Sequence, residues 1–233
     1  MKKHIPNLLT CANLSCGFIG ILVAFRVGFE WVLIASILTF IASVFDFLDG
    51  LSARLLNRFS EFGKQLDSLA DMVTFGVLPG VIIYRLFQNS NFDGLPVELS
   101  YISILLPVFS ALRLAKFNLD SNTNLGFVGL PTPASAILIS SLPFIIKYDN
   151  YGIGQFLLNP IVLSIVVLVV CFLMISSISM FNLKMTSLKL IENKVRYLFL
   201  FCSALLLLFF HFAGIPFVIT LYVLISIFIK ETP

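Results

Sequence analysis

Asp46-Phe47-Leu48-Asp49-Gly50-Leu51-Ser52-Ala53-Arg54, then eight residues, then Gly63-Lys64-Gln65-Leu66-Asp67-Ser68-Leu69-Ala70-Asp71: the reading of this stretch decides the fold. It sets four carboxylates inside apolar runs. At membrane depth each costs roughly 2.5–3.5 kcal/mol on insertion scales, and four together approach ~10 kcal/mol unless something faces them. Hard divalent cations, which take oxygen ligands, are suited to that task. The stretch therefore reads as a site built into membrane helices.

Composition agrees. The 233 residues are 59% hydrophobic and only 12% charged, with 25 Phe, and the mean hydropathy is +1.03. A soluble domain carries about 25% charged residues. Apolar runs of about 20 residues match the hydrocarbon core of a bilayer. The expected fold is all-α, a polytopic membrane bundle of about eight transmembrane helices, near 6–25, 31–53, 63–87, 100–118, 132–147, 159–182, 196–212 and 216–230. Residues 1–233 are expected to form a single integral-membrane domain, with a six-helix catalytic core to about 182 and two additional helices over 183–233. No appended soluble domain is expected. The first run is polar early, at Asn7, Thr10, Asn13 and Ser15, and lacks a small-residue cleavage site, so it reads as a span and not as a cleaved signal peptide. Pro107 and Pro143 fall inside or near the ends of spans, where neighbouring helices can satisfy the freed carbonyls.

Lys and Arg set the orientation. With the N-terminus inside, one side collects Lys2, Lys3, Arg54, Arg58, Lys64, Arg113, Lys116, Lys184, Lys189, Lys194, Arg196 and Lys230, and the other keeps Arg26, Arg85 and Lys147. Twelve against three is a positive-inside bias, which puts both termini and the mouth of the acid site in the cytoplasm. The expected location is the cell membrane, crossed several times. The net charge of +3 says less than this asymmetry. A basic inner rim attracts anionic headgroups and phosphates, and no nucleic-acid partner is expected. Cys11, Cys16, Cys171 and Cys202 all lie within spans and form no Cys-x-x-Cys pair, so they read as packing residues. His4 and His211 are isolated in sequence and suggest no zinc site.

Spacing gives the cluster its geometry. Asp46 and Asp49 are three apart, Asp67 and Asp71 four apart, so each pair shares a helix face. Asp46 precedes Arg54 by eight residues, and Asp71 follows Gly63 by eight. At 1.5 Å per residue both lie about 12 Å along their helices. Two antiparallel helices joined by a short loop then match Asp46 in depth with Asp71, and Asp49 with Asp67, an arrangement able to hold two cations. Oxygen-only ligands select Mg²⁺ or Mn²⁺, with Ca²⁺ able to occupy the site. Gly50 and Ala53 clear space for a phosphate ligand, Gly63 starts the third helix without a side chain, and Arg54 offers a guanidinium. A buried Asp–Arg ion-pair network is the bland alternative, but four acids beside one arginine leave too much negative charge.

The residues from Asp46 to Asp71 resemble the signature of the CDP-alcohol phosphatidyltransferases, D-x-x-D-G-x-x-A-R, eight residues, then G-x-x-x-D-x-x-x-D. Asp46, Asp49, Gly50, Ala53, Arg54, Gly63, Asp67 and Asp71 fill all eight fixed positions over 26 residues. The resemblance extends across roughly the first six spans. It implies that Asp46, Asp49, Asp67 and Asp71 hold two divalent cations that grip a diphosphate, that Gly50, Ala53 and Arg54 contact the CDP moiety, and that Asp71 is the base for the incoming hydroxyl. The implied reaction releases CMP from a CDP-linked lipid. The implied assembly is a homodimer among membrane lipids.

Two further stretches resemble the family's membrane-embedded phosphatidylserine synthases of bacteria. One is Pro6-Asn7-Leu8-Leu9-Thr10 with Asn13 and Cys16-Gly17-Phe18; the other is Arg113-Leu114-Ala115-Lys116-Phe117-Asn118 with Phe127-Val128-Gly129-Leu130-Pro131-Thr132-Pro133-Ala134. They imply transfer from CDP-diacylglycerol to L-serine. Arg113, Lys116 and Asn118 are candidates for the serine or the lipid phosphate, and Arg113 and Lys116 read equally as membrane anchors. Asn7, Thr10 and Asn13 read either as nucleotide contacts or as interhelical hydrogen bonds. Gly129-Leu130-Pro131 reads also as a simple turn. The alternatives are a sister enzyme using glycerol 3-phosphate, inositol phosphate or choline, and, more remotely, a divalent-cation transporter. A transporter would spread its acids through the membrane thickness; here they cluster beside Arg54, which would repel a permeating cation.

Overall fold

The computed structural model describes residues 4–56, 60–90, 97–119, 128–181 and 193–228. These are helical throughout, with one isolated antiparallel bridge between Val128 and Ser179 and no strand among them. The helices are α1 (Ile5–Ala24), α2 (Phe29–Leu55), α3 (Glu61–Gln88), α4 (Glu98–Leu119), α5 (Thr132–Tyr148), α6 (Pro160–Ile175), α7 (Lys194–Phe210) and α8 (Gly214–Phe228). A single turn, Gly154–Leu157, interrupts the loop before α6.

The helices α1 to α4 are each long and apolar enough to cross a membrane, and so is the continuous run Lys194–Phe228; α5 and α6 are apolar but shorter. That last run is not one rod. Phe199 packs its ring 5.9 Å from Tyr222, and Phe210 packs 5.3 Å from Phe217. Early residues of α7 thus meet late residues of α8, so the two helices form an antiparallel hairpin, turning at His211–Ala213. Lys2, Lys3, Arg58, Lys184, Lys189 and Lys230, half of the basic residues assigned to the inner side, lie outside the described residues.

α3 is the central helix. Its Leu78, Ile82, Ile83 and Leu86 are fully buried in one core with Val32 and Ala35 of α2, Leu106 of α4, Ile139 of α5 and Leu163 and Val167 of α6. α1 approaches it with small and polar residues: its buried positions are Pro6, Thr10, Asn13, Gly17, Gly20 and Ala24. The close approach is why position 17 is glycine, since a Cβ there would strike Thr74 Oγ1 and come within 2.9 Å of Thr74 Cα. Stripes of small residues let membrane helices pack closely without a large apolar face.

Two local departures from regular α-helix matter for the site. Met72–Val77 within α3 is π-helical, starting immediately after Asp71. Such stretches are rare and recur at functional sites. The span expected to reach 182 ends as a helix at Ile175. The chain then runs back along the segment before α5: Gly129 N donates to Ile178 O at 2.9 Å, and Leu130 N to Leu173 O at 2.9 Å. Leu173 O is one of the last carbonyls of α6, which have no partner within the helix, and it also accepts the Ser176 hydroxyl at 2.9 Å. Gly129 adopts φ +75°, a conformation that favours glycine, with Met174 O against its Cα side. The Gly129-Leu130-Pro131 stretch is thus a turn pinned to the end of α6.

Candidate functional site

The chain enters α3 through Ser60, whose hydroxyl accepts the amide of Gly63 at 3.0 Å, an N-cap bond that fixes the start of the helix. From there Asp67 and Asp71 rise on the side facing α2. Carboxylate oxygens of Asp46, Asp49 and Asp67 all lie within 4.8 Å of one another. Asp71 stands one turn further along α3, outside that trio, and near enough to interact electrostatically with Asp46. The four carboxylates of α2 and α3 therefore converge on one place, with Asp46 near Asp67 and Asp49 as well as Asp71. Asp49 and Asp71 are buried, at 6% and 8% exposure, while Asp46 and Asp67 are half-buried.

α1 closes one wall. Thr10 Oγ1 donates to Asp49 Oδ2 at 2.6 Å, and Asn13 Nδ2 donates to Asp71 Oδ1 at 3.3 Å. Thr74 Oγ1, in the π-helical stretch, donates back to the Asn13 backbone carbonyl at 3.2 Å. Thr10 and Asn13 thus make interhelical bonds directly to the acids. Asn7 lies at the mouth, its Oδ1 3.4 Å from where a Cβ on Gly63 would stand. The i, i+3, i+6 spacing of Asn7, Thr10 and Asn13 was the visible signal, but their carboxylate partners could not be read from spacing.

The rim is open. A Cβ on Gly50 would meet nothing within 4 Å. Ala53 is half-buried, and Arg54 is exposed, with Nε donating to Gly50 O at 3.1 Å along its own helix. Arg54 therefore stands beside the acids without being folded onto them.

α4 supplies the opposite wall. Arg113 is only 7% exposed. Its Nη1 donates to Thr132 Oγ1 at 3.4 Å, its guanidinium lies 5.9 Å from the Phe117 ring, and its charge is near enough to interact with Asp71. Asn118 Nδ2 donates to Ser68 Oγ at 2.8 Å, and its backbone carbonyl accepts Lys64 Nζ at 3.4 Å, tying the end of α4 to the start of α3. Lys116 is exposed. Arg113 is thus brought near Asp71, Asn118 is tied to Ser68 and Lys64 on α3, and Lys116 is exposed.

The donor set fits a hard cation. It is oxygen-only, and the side chains that hydrogen-bond Asp49 and Asp71 from α1, Thr10 and Asn13, are neutral. Asp67 Oδ1 is buried with no hydrogen-bond partner among the described residues. A buried carboxylate oxygen left unpaired is costly, and a cation removes that cost. A separate cavity of about 230 Å³ lies at the far end of the bundle, among Phe144, Tyr148, Asp149, Tyr151, His211 and Phe212. Its single carboxylate, Asp149, already accepts Gly154 N at 2.6 Å. This hollow therefore offers a cation far fewer oxygen ligands than the four acids do.

Known proteins resemble this chain over much of its length. The family model described as CDP-alcohol phosphatidyltransferase matches residues 3–175. The CDP-diacylglycerol–serine O-phosphatidyltransferase of Helicobacter pylori is 39% identical over 139 residues, covering 58% of this chain and 54% of that protein. The Bacillus subtilis protein of the same name is 32% identical over 164 residues, covering 70% of this chain and 81% of its own. An archaetidylserine synthase of Methanothermobacter thermautotrophicus is 34% identical over 167 residues, covering 69% and 66%. The match thus spans about half the length of the Helicobacter relative and most of the Bacillus one.

Proposed function

Because this chain belongs to the CDP-alcohol phosphatidyltransferase family, we propose that it transfers the phosphatidyl group of CDP-diacylglycerol to the hydroxyl of L-serine, giving phosphatidylserine and CMP. The observation that carries this reading is the trio of carboxylates within 4.8 Å, joined by buried Asp71 and faced by buried Arg113. Relatives named for serine transfer support the choice of acceptor.

Asp46, Asp49, Asp67 and Asp71 would hold two divalent cations, Mg²⁺ or Mn²⁺. When bound, these supply charge to polarise the phosphorus and stabilise the departing CMP. The protein's own part is positioning and proton transfer. Gly50 and Ala53 leave room for the diphosphate beside the acids, and Arg54, Gly63, Asn7 and Thr10 border the space for the CDP moiety. The serine hydroxyl oxygen bonds to the phosphorus that carries diacylglycerol, the bond from that phosphorus to the CMP oxygen breaks, and the hydroxyl proton goes to Asp71. Arg113 faces the serine carboxylate, with Lys116 and Asn118 at the rim for serine or lipid phosphate.

The proposed membrane frame has eight crossings, both termini in the cytoplasm and the site opening there. Among the described residues Arg54, Lys64, Arg113, Lys116, Lys194 and Arg196 lie toward the acid end, and Arg26, Arg85 and Lys147 toward the other. The family match ends at residue 175, which supports a six-helix catalytic core with α7 and α8 added to it. A homodimer is proposed on the family resemblance.

The test is CMP release by purified protein supplied with CDP-diacylglycerol, Mn²⁺ or Mg²⁺ and a panel of alcohols. L-serine should release CMP and yield phosphatidylserine, while glycerol 3-phosphate, inositol phosphate and choline do little. Faster turnover with either phosphate would move the protein to a sister activity.

A further inference from the structure

Asn13 is 0% exposed and sits at the meeting of α1 with the π-helical stretch of α3. Its amide nitrogen donates to Asp71 Oδ1. A metal-binding carboxylate only accepts, so this bond fixes which way round the carboxamide lies. The other end of the group, Oδ1, is buried and has no partner among the described residues. The backbone around it is held by Thr74, through the bond to the Asn13 carbonyl. Gly17, pressed against Thr74 one turn further along α1, keeps the two helices too close for the side chain to withdraw. A buried acceptor without a donor is costly, and a site tuned to a ligand's N–H leaves such a group waiting for it.

We propose that Asn13 is a specificity residue for an amino-bearing alcohol: its amide nitrogen holds Asp71, and its Oδ1 accepts a hydrogen bond from the ammonium group of the incoming substrate. This rests on the serine-transfer reading and adds to it a residue outside the acid motif. In serine the amine and the hydroxyl stand on adjacent carbons. A group that recognises the amine must then lie beside the group that takes the hydroxyl proton. Asn13 satisfies that through one planar carboxamide, with one end on Asp71 and the other end free. Arg113, the buried cation near Asp71, completes the pattern with a donor for the carboxylate: its Nε is likewise buried and unpartnered among the described residues. A neutral acceptor suits the amine position, since a fifth carboxylate there would compete for the cations.

The experiment compares wild type with Asn13→Leu and Asn13→Ala. It reads the KM for L-serine, the KM for CDP-diacylglycerol, and the inhibition constant of 3-hydroxypropanoate, which is serine without its amine. In both variants the KM for L-serine should rise about tenfold or more, the scale of a lost hydrogen bond to a charged group. The 3-hydroxypropanoate constant and the KM for CDP-diacylglycerol should stay within about twofold of wild type. An equal weakening of serine and 3-hydroxypropanoate would overturn the proposal and leave Asn13 as a support for Asp71 only. An unchanged serine KM would overturn it as well. The alanine variant carries the test if the leucine variant does not fold, with metal-dependent CDP-diacylglycerol binding as the folding control. Failure of the wild type to release CMP with L-serine would instead strike the serine-transfer reading itself.

Discussion

α3 and the α7–α8 hairpin are both long and apolar enough to cross a membrane, yet they are held in opposite ways. In the most apolar window of α3, 56% of residues are buried inside the protein; in that of the hairpin run the share is 11%. α3 is packed by protein over more of its surface, so its sequence carries acids, Thr74, Gly76 and Gly80 among large aliphatics, with Thr74 bonded to α1 and Gly76 and Gly80 packed against α4. The hairpin buries only Phe199, Ser203, Gly214, Ile219, Val223 and Ser226, and turns Phe201, Leu208, Phe209 and Phe228 outward. Its other surface is left for lipid, which asks only that side chains be apolar. The comparison teaches that in this chain polarity within a helix marks protein contact, and the density of that polarity marks the site.

Substitutions should therefore differ sharply between the two regions. The largest effect is expected at Asp71. Asp71→Asn keeps the size but removes the proton acceptor, and should lower kcat by about 10²-fold or more. CDP-diacylglycerol affinity in the presence of metal should fall much less than for Asp46→Asn or Asp67→Asn, as read by binding and single-turnover rates side by side. Near-normal turnover would mean that another group activates the hydroxyl. Binding lost as fully as in Asp67→Asn would make Asp71 a metal holder first.

A smaller effect is expected one step out, at Thr10, whose hydroxyl supports Asp49 from α1. Thr10→Val preserves shape and removes that bond. The metal concentration giving half-maximal activity should rise about tenfold, the lower end of what loss of a residue supporting a metal ligand costs. The smallest effect is expected on the hairpin. Leu208 is 68% exposed toward the lipid side, so Leu208→Ala should change stability by less than about 0.5 kcal/mol and leave turnover unaltered. A large loss there would show that the outer face of the hairpin packs against another polypeptide, and would break the contrast with α3.

The site was largely legible because its spacing is helical arithmetic. Three-residue and four-residue separations, with equal distances to the loop, suffice to bring the acids of α2 and α3 together. The helices themselves were legible from hydrophobic runs, with ends displaced by one or two residues, as between the expected 31–53 and the observed Phe29–Leu55. What spacing does not encode is partner choice. Thr10 and Asn13 announced a polar stripe on α1, but only tertiary packing joins them to Asp49 and Asp71. The π-helical stretch after Asp71 left no signal in the hydrophobic pattern, because Met72–Val77 is apolar under either winding. The early end of α6 at Ile175 escaped because the course of Ser176 to Phe181, which mixes serines with apolar residues, is set by the bond from Gly129 N to Ile178 O, far away in sequence.

The central claim is that the four acids serve a metal-dependent transfer to serine. The most direct measurement strips purified wild type and Asp67→Asn of divalent ions with a chelator, supplies CDP-diacylglycerol and L-serine, and follows CMP release as Mg²⁺ or Mn²⁺ is added back. The wild type should be silent without metal and recover fully with it, while Asp67→Asn stays silent at the same concentrations. Full turnover in metal-free buffer, or an Asp67→Asn variant as active as wild type, would contradict the account.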